Sequence, residues 1–197
     1  YLNGDTNALT LNQSKGMELF YGKANCSSCH SGSLLTNQKF YSLGIPQFGP
    51  GRTRSFDPYA RDVGRMVETD DLNDMYKFKT PALRNVSLTA PYGHNGAYPT
   101  LEGIIKHHLD PKGMYKIWKP KLANLPKAGW LEDIDFVTFS DKREQERIIS
   151  SIEIRPIDLS DKEIFYLVEF LKSLTGKSGN NRPLGKPNKV PSGLLID

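Results

Sequence analysis

Both cysteines of the chain lie in one pentapeptide, Cys26-Ser27-Ser28-Cys29-His30. With no other cysteine present, a disulfide framework is excluded. The spacing puts two thiols about one helical turn apart with an imidazole directly behind them, so three reactive side chains converge on one object. A porphyrin suits that geometry: the thiols add to the two vinyl groups of one edge while the histidine turns back to the iron. A redox dithiol instead wants a strand before the motif and an α/β pattern around it, whereas the flanks here read as a helix and then loops. Zinc needs two further ligands, for which only His94, His107 and His108 remain. The leading expectation is one covalent haem c held by Cys26, Cys29 and His30, with zinc and dithiol chemistry as the alternatives.

Composition bounds the rest. The 197 residues are 38% hydrophobic with a net charge of +4, enough for one sizeable domain and too weakly basic to argue for nucleic acid. No run approaches the roughly 18 apolar residues of a membrane span. No charged-then-apolar leader opens the chain, and a start at Tyr1 fits either a processed end, with an export signal already removed, or an artificial boundary.

A first helix is expected over 13–23, capped by Asn12 or Thr10, and it feeds directly into the cysteine motif. Residues 31–78 are rich in Gly, Pro, Asp and Thr and read as loops that a flat apolar cofactor can organise. A second helix spans 101–109 behind Thr100, with Pro111 and Gly113 ending it. A charged helix follows over 141–152 after Ser140. The last helix runs over 161–174: Ser160 and Glu163 form a capping box, Ile164, Leu167, Val168 and Leu171 make a stripe, and Gly176 stops it. Gly16 and Phe20 on the first helix face Phe165, Tyr166 and Phe170 on the last, where a small residue permits a close crossing beside the haem edge, or simply ordinary helix packing. The fold class is mostly α: a cytochrome c-like helical domain over 1–176, with long loops wrapped round one covalent haem. Segment 111–155 is an extension of it and 177–197 an extended surface tail.

Every histidine other than His30 lies between 94 and 108, so the distal iron ligand is sought there. Leu101, Ile104 and Ile105 define an apolar stripe; His108 falls near its centre and His107 about 100° toward the flank. His108 is therefore the expected second ligand, with His107, Met114 or an open position as alternatives. Met17, Met66 and Met75 are expected to be apolar packing. Two histidine ligands close the site to peroxide and lower the reduction potential relative to a methionine ligand.

Longer motifs carry a resemblance. They include Gly16 to Phe20 leading into Cys26–His30, Gly32-Ser-Leu-Leu-Thr36, Phe40, Gly44-Ile-Pro46, Asp62-Val-Gly-Arg65, Phe78 through Val86, Leu88-Thr-Ala-Pro-Tyr92, His94-Asn-Gly96 and Thr100-Leu-Glu102. The last helix and Val190-Pro-Ser-Gly-Leu194 complete them. These resemble the C-terminal haem domain of the bacterial di-haem cytochrome c peroxidases and of the related enzyme that matures a tryptophan-derived quinone. The resemblance covers most of the chain outside 111–155, a segment longer than the family's link to its last helix. It implies that this haem is the electron-transfer haem and that its distal ligand stands fourteen residues after His94, which is His108. It also implies calcium between two haem domains, held by carbonyls at Thr89 and Pro91 and by an asparagine of the N-terminal domain. One attachment motif stands here where the family has two.

Arg84 suits a bidentate pairing with a haem propionate, or a plain surface position. For His94 a structural hydrogen bond is favoured over ligation, and for Trp118 and Trp130 satellite packing over an electron relay. The expected function is electron transfer in an exported, periplasmic setting, with a redox protein or a second haem domain as partner. Two alternatives stand beside it: a peroxidase with an open distal side, and a haem subunit docking on a separate protein through its long segment.

Overall fold

The structure is a computed structural model that describes residues 4–49, 61–125, 129 and 134–176. Its helices are α1 (Leu11–Tyr21), α2 (Met66–Thr69), α3 (Leu101–Leu109), α4 (Pro111–Ile117), α5 (Val137–Ser140), α6 (Lys142–Ser151) and α7 (Asp161–Ser173). The sheet among these residues is a single antiparallel pair, β1 (Phe40–Tyr41) with β2 (Phe78–Lys79), in the register Phe40 to Lys79 and Tyr41 to Phe78. The described residues are rich in helix and hold little sheet, in line with the expected α class. The tail 177–197 and Trp130 lie outside them.

Two capping boxes start the two longest helices. Thr10 Oγ1 accepts from the Gln13 N–H at 3.3 Å while Gln13 Oε1 accepts from the Thr10 N–H at 2.9 Å. Ser160 and Glu163 repeat the exchange at the head of α7. Each box satisfies amides that a helix leaves unpaired in its first turn. Of the two candidate caps Thr10 is the one used, so α1 begins two residues earlier than its apolar pattern suggests. α6 likewise starts behind Asp141, whose carboxylate accepts from the Arg143 N–H at 2.9 Å.

α1 and α7 cross at Gly16. A Cβ there would fall on the Tyr166 carbonyl and 2.7 Å from Phe170 Cβ, so the backbones meet with no room for a side chain. Phe20 packs its ring 5.2 Å from that of Phe170, and Lys23 reaches Glu163 at 2.7 Å across the same junction. The crossing carries the apolar core, in which Phe20, Leu167 and Phe170 are nearly fully buried with Leu101 and Tyr98.

Pro111 does not simply end α3. Asp110 closes that helix with its N–H on the Lys106 carbonyl and opens α4 with its carboxylate on the Gly113 N–H, both at 3.0 Å. Proline fits the first position of the new helix, where no N–H is needed. The segment after it builds core. Trp118 is buried, donates from Nε1 to the Ala97 carbonyl at 2.9 Å, stacks on Phe48 at 5.4 Å and meets Phe139 edge-on at 4.9 Å. Its place is thus in the main cluster instead of a satellite one. A second cluster holds Tyr76, Tyr115 and Ile148 with Met75 against it; beside it buried Glu144 accepts from Tyr76 Oη at 2.5 Å, Arg61 at 3.3 Å and Arg147 at 3.2 Å. Met17 and Met66 pack apolar surface as expected.

Replacing Gly16 with alanine forces the two helices apart, an overpacking change that costs about 1–3 kcal/mol. Equilibrium urea unfolding measures it; an unchanged midpoint contradicts the close crossing.

Candidate functional site

The end of α1 delivers the cysteine motif. After Gly22 the Ala24 N–H bonds back to the Leu19 carbonyl at 2.9 Å, and Asn25 turns the chain through a left-handed φ of 51° into a short turn over Cys26–Ser28. The N–H groups of Cys29 and His30 both reach the Cys26 carbonyl, at 3.3 and 2.9 Å. Cys26, Cys29 and His30 are therefore gathered on one turn, all half-buried, with both thiols free. Burial pushes the Cys26 thiol up to about 11, with a smaller lowering by its backbone hydrogen bond. A catalytic dithiol needs the reverse, a thiol held low by its surroundings. Zinc would want thiolates and further donors, yet among the described residues no group of three or more His, Cys, Asp or Glu side chains is placed to hold a metal. The motif thus gathers two free thiols and an imidazole on one turn, with the Cys26 thiol raised rather than lowered.

The loop behind the motif is tied down twice. Thr36 Oγ1 donates to the Thr80 carbonyl at 2.7 Å, and the Thr80 N–H donates to the Lys39 carbonyl at 2.9 Å, extending the β1–β2 pair. The loop so fixed presents the Leu35 carbonyl to His30, whose Nδ1 lies 3.1 Å from it. A carbonyl only accepts, so Nδ1 carries the proton and Nε2 the lone pair. Burial first, and then the charge of His108, lower the His30 imidazole to about 4, against the opposing pull of the Leu35 and Pro81 carbonyls. His30 is thus a neutral ring near neutral pH, and His108 stands close enough to act on it.

His108 has the same arrangement. Its Nδ1 lies 2.8 Å from the Ile104 carbonyl one turn back, leaving Nε2 as the lone-pair nitrogen, and burial keeps its imidazole below the usual range. Ile104, Ile105 and His108, at the centre of the α3 stripe, are only half-buried, while Leu101 and Leu109 are covered. Apolar surface and a lone pair thus sit together on the side of α3 whose histidine acts on His30.

His107 corrects the helical-wheel reading. Instead of a flank position it has no exposed surface at all, because the loop through Leu43 covers that side of α3. Its Nε2 donates to the Leu43 carbonyl at 2.8 Å, so its Nδ1 accepts from Tyr98 Oη at 2.7 Å. With both nitrogens engaged in hydrogen bonds, His107 is a poor ligand. Met114 packs against the core from α4. Nothing in the periodicity of one helix points to Leu43, which lies 64 residues away. The Ile104 carbonyl, four residues before His108, is by contrast readable from helical geometry.

The remaining candidates are less enclosed. Arg84 is exposed on the turn in which the Val86 N–H meets the Leu83 carbonyl at 3.2 Å. Thr89 is exposed, its hydroxyl on the Val86 carbonyl at 3.1 Å, and Pro91 follows a cis peptide bond. His94 lies face to face with Phe78, centroids 3.6 Å apart, so a ring stack stands in place of the expected hydrogen bond.

A scan of protein-family models returned no match. Similar proteins are nonetheless clear. A cytochrome-c peroxidase IdrP2 of Denitromonas iodatirespirans is 36% identical over 91% of this chain and 44% of its own length. A cytochrome-c peroxidase IdrP1 of Pseudomonas sp. strain SCT is 35% identical over 71% of this chain and 41% of its own. The chain thus spans less than half the length of these relatives. Among solved structures, a MauG-like protein associated with microbial copper homeostasis superimposes with a TM-score of 0.58 at 30% identity, over 93% of this chain and 52% of that one. These likenesses support placing the chain in the di-haem cytochrome c peroxidase family of haem-based redox proteins.

Proposed function

We propose that this chain is an electron-transfer domain built on one covalent haem c, corresponding to the C-terminal haem domain of a di-haem peroxidase. Cys26 and Cys29 would hold the porphyrin through thioethers, and His30 and His108 would ligate its iron through Nε2. The observation that carries the reading is the shared tautomer. Each ring is turned by a main-chain carbonyl, Leu35 at 3.1 Å and Ile104 at 2.8 Å, toward a partner that needs a nitrogen lone pair. Bound haem supplies a one-electron iron couple. The protein's part is to keep both imidazoles neutral and oriented, to cover the porphyrin with half-buried Ile104 and Ile105, and to leave no open coordination position for peroxide.

Two histidine ligands in place of histidine and methionine favour a low reduction potential. Arg84, on an exposed turn, is proposed to pair with a propionate. Thr89 and Pro91 are proposed to give carbonyls to a calcium ion that another domain completes. The partner is a second haem domain or a redox protein, and the setting is the periplasm, where the family's covalent haem attachment is made. No helix among the described residues is long and apolar enough to cross a membrane.

The haem-loaded protein should weigh one haem more than its polypeptide after denaturation, and its oxidised spectrum should be low-spin. Cys26→Ala with Cys29→Ala should lose the retained mass; retention in that variant contradicts thioether attachment. His108→Ala should convert the oxidised spectrum to high-spin and admit cyanide, and an unchanged low-spin spectrum removes His108 from the iron.

A further inference from the structure

α3 carries two adjacent histidines that do different work. The hydrogen bond of His108 runs to Ile104 of its own helix, so it sets the ring's rotamer and leaves the helix free to roll. His107 supplies the outside restraint. Fully buried, it joins the Leu43 carbonyl at 2.8 Å to the Tyr98 hydroxyl at 2.7 Å. Both partners are held in turn. Tyr98 is bridged to Tyr92 by backbone hydrogen bonds of 2.7 and 3.0 Å, and beside Leu43 the Ser42 N–H donates to Glu153 at 3.0 Å. Successive residues on a helix point about 100° apart. Clamping His107 therefore fixes the direction in which His108 leaves α3.

We propose that His107 and Tyr98 form a positioning pair for His108 and set how readily an outside ligand displaces His108 from the iron. This rests on the reading of His108 as an iron ligand. The pair contacts no reacting atom; it acts through the roll of α3, and so decides whether the distal side behaves as closed or as displaceable. Its removal leaves His108 and Ile104 in place, and loses only what aims them.

The test is cyanide binding to the oxidised, haem-loaded chain, followed by absorbance. Tyr98→Phe keeps the ring and deletes the hydroxyl; it should bind cyanide about tenfold faster than the parent, the equivalent of about one hydrogen bond. His107→Leu should be faster still. His107→Gln, whose amide can donate to Leu43 and accept from Tyr98, should return toward the parent rate. Ile148→Ala, which loosens the second cluster, should leave the rate unchanged. A parent rate in Tyr98→Phe overturns the clamp, as does an equal acceleration in Ile148→Ala, because loosening anywhere would then suffice. Should His107→Leu fail to fold, Tyr98→Phe and His107→Gln still decide the matter. A parent protein already high-spin before cyanide removes His108 as a ligand and the clamp with it, whereas a low-spin parent with an unresponsive Tyr98→Phe removes the clamp alone.

Discussion

An imidazole can offer a lone pair from only one nitrogen at a time, and the main chain decides which. At His30 and at His108 a backbone carbonyl holds the Nδ1 proton, so both rings keep Nε2 as their base. Burial lowers both imidazoles below their usual range. Two imidazoles with matched tautomers and two free thiols on one turn are the donor set on which the proposed haem site rests.

The scaffold exists to keep that set in register. α1 and α7 meet at Gly16 with their backbones in contact, and the end of α1 passes directly into the cysteine turn. The β1–β2 pair and the Thr36 to Thr80 bond hold the loop that supplies the Leu35 carbonyl. From the other side, Thr100 starts α3, and Asp110 ends it while starting α4. The segment after α4 returns through Trp118 and Phe139 to the core. Most of the described residues between the helices lack regular structure, so their position depends on hydrogen bonds and on aromatic stacking. An apolar cofactor adds burial where such a fold has least of its own.

What the sequence made legible was local. CxxCH, the Ser160–Glu163 box, Thr100 as a cap and Gly16 as a crossing point each depend on neighbours within one or two turns, or on the absence of a side chain. The Ile104 carbonyl that holds the His108 ring is likewise within reach of helical geometry, because it lies four residues back. The wheel failed at His107 for the complementary reason: what buries it is Leu43, brought there by loops with no periodic pattern. Proline breaks a running helix, so Pro111 reads as a stop, yet the same residue opens the next helix once Asp110 caps it. Trp118 looked peripheral in a lysine-rich stretch, and only the loop that brings in Phe48 shows it to be central.

The central claim is that two histidines of this chain, each through Nε2, hold one iron. Pulsed electron paramagnetic resonance of the oxidised protein grown with nitrogen-15 histidine counts the ring nitrogens that share the iron's unpaired spin. The account predicts two strongly coupled imidazole nitrogens, one of them lost in His108→Ala. A single coupled nitrogen in the parent protein would contradict it.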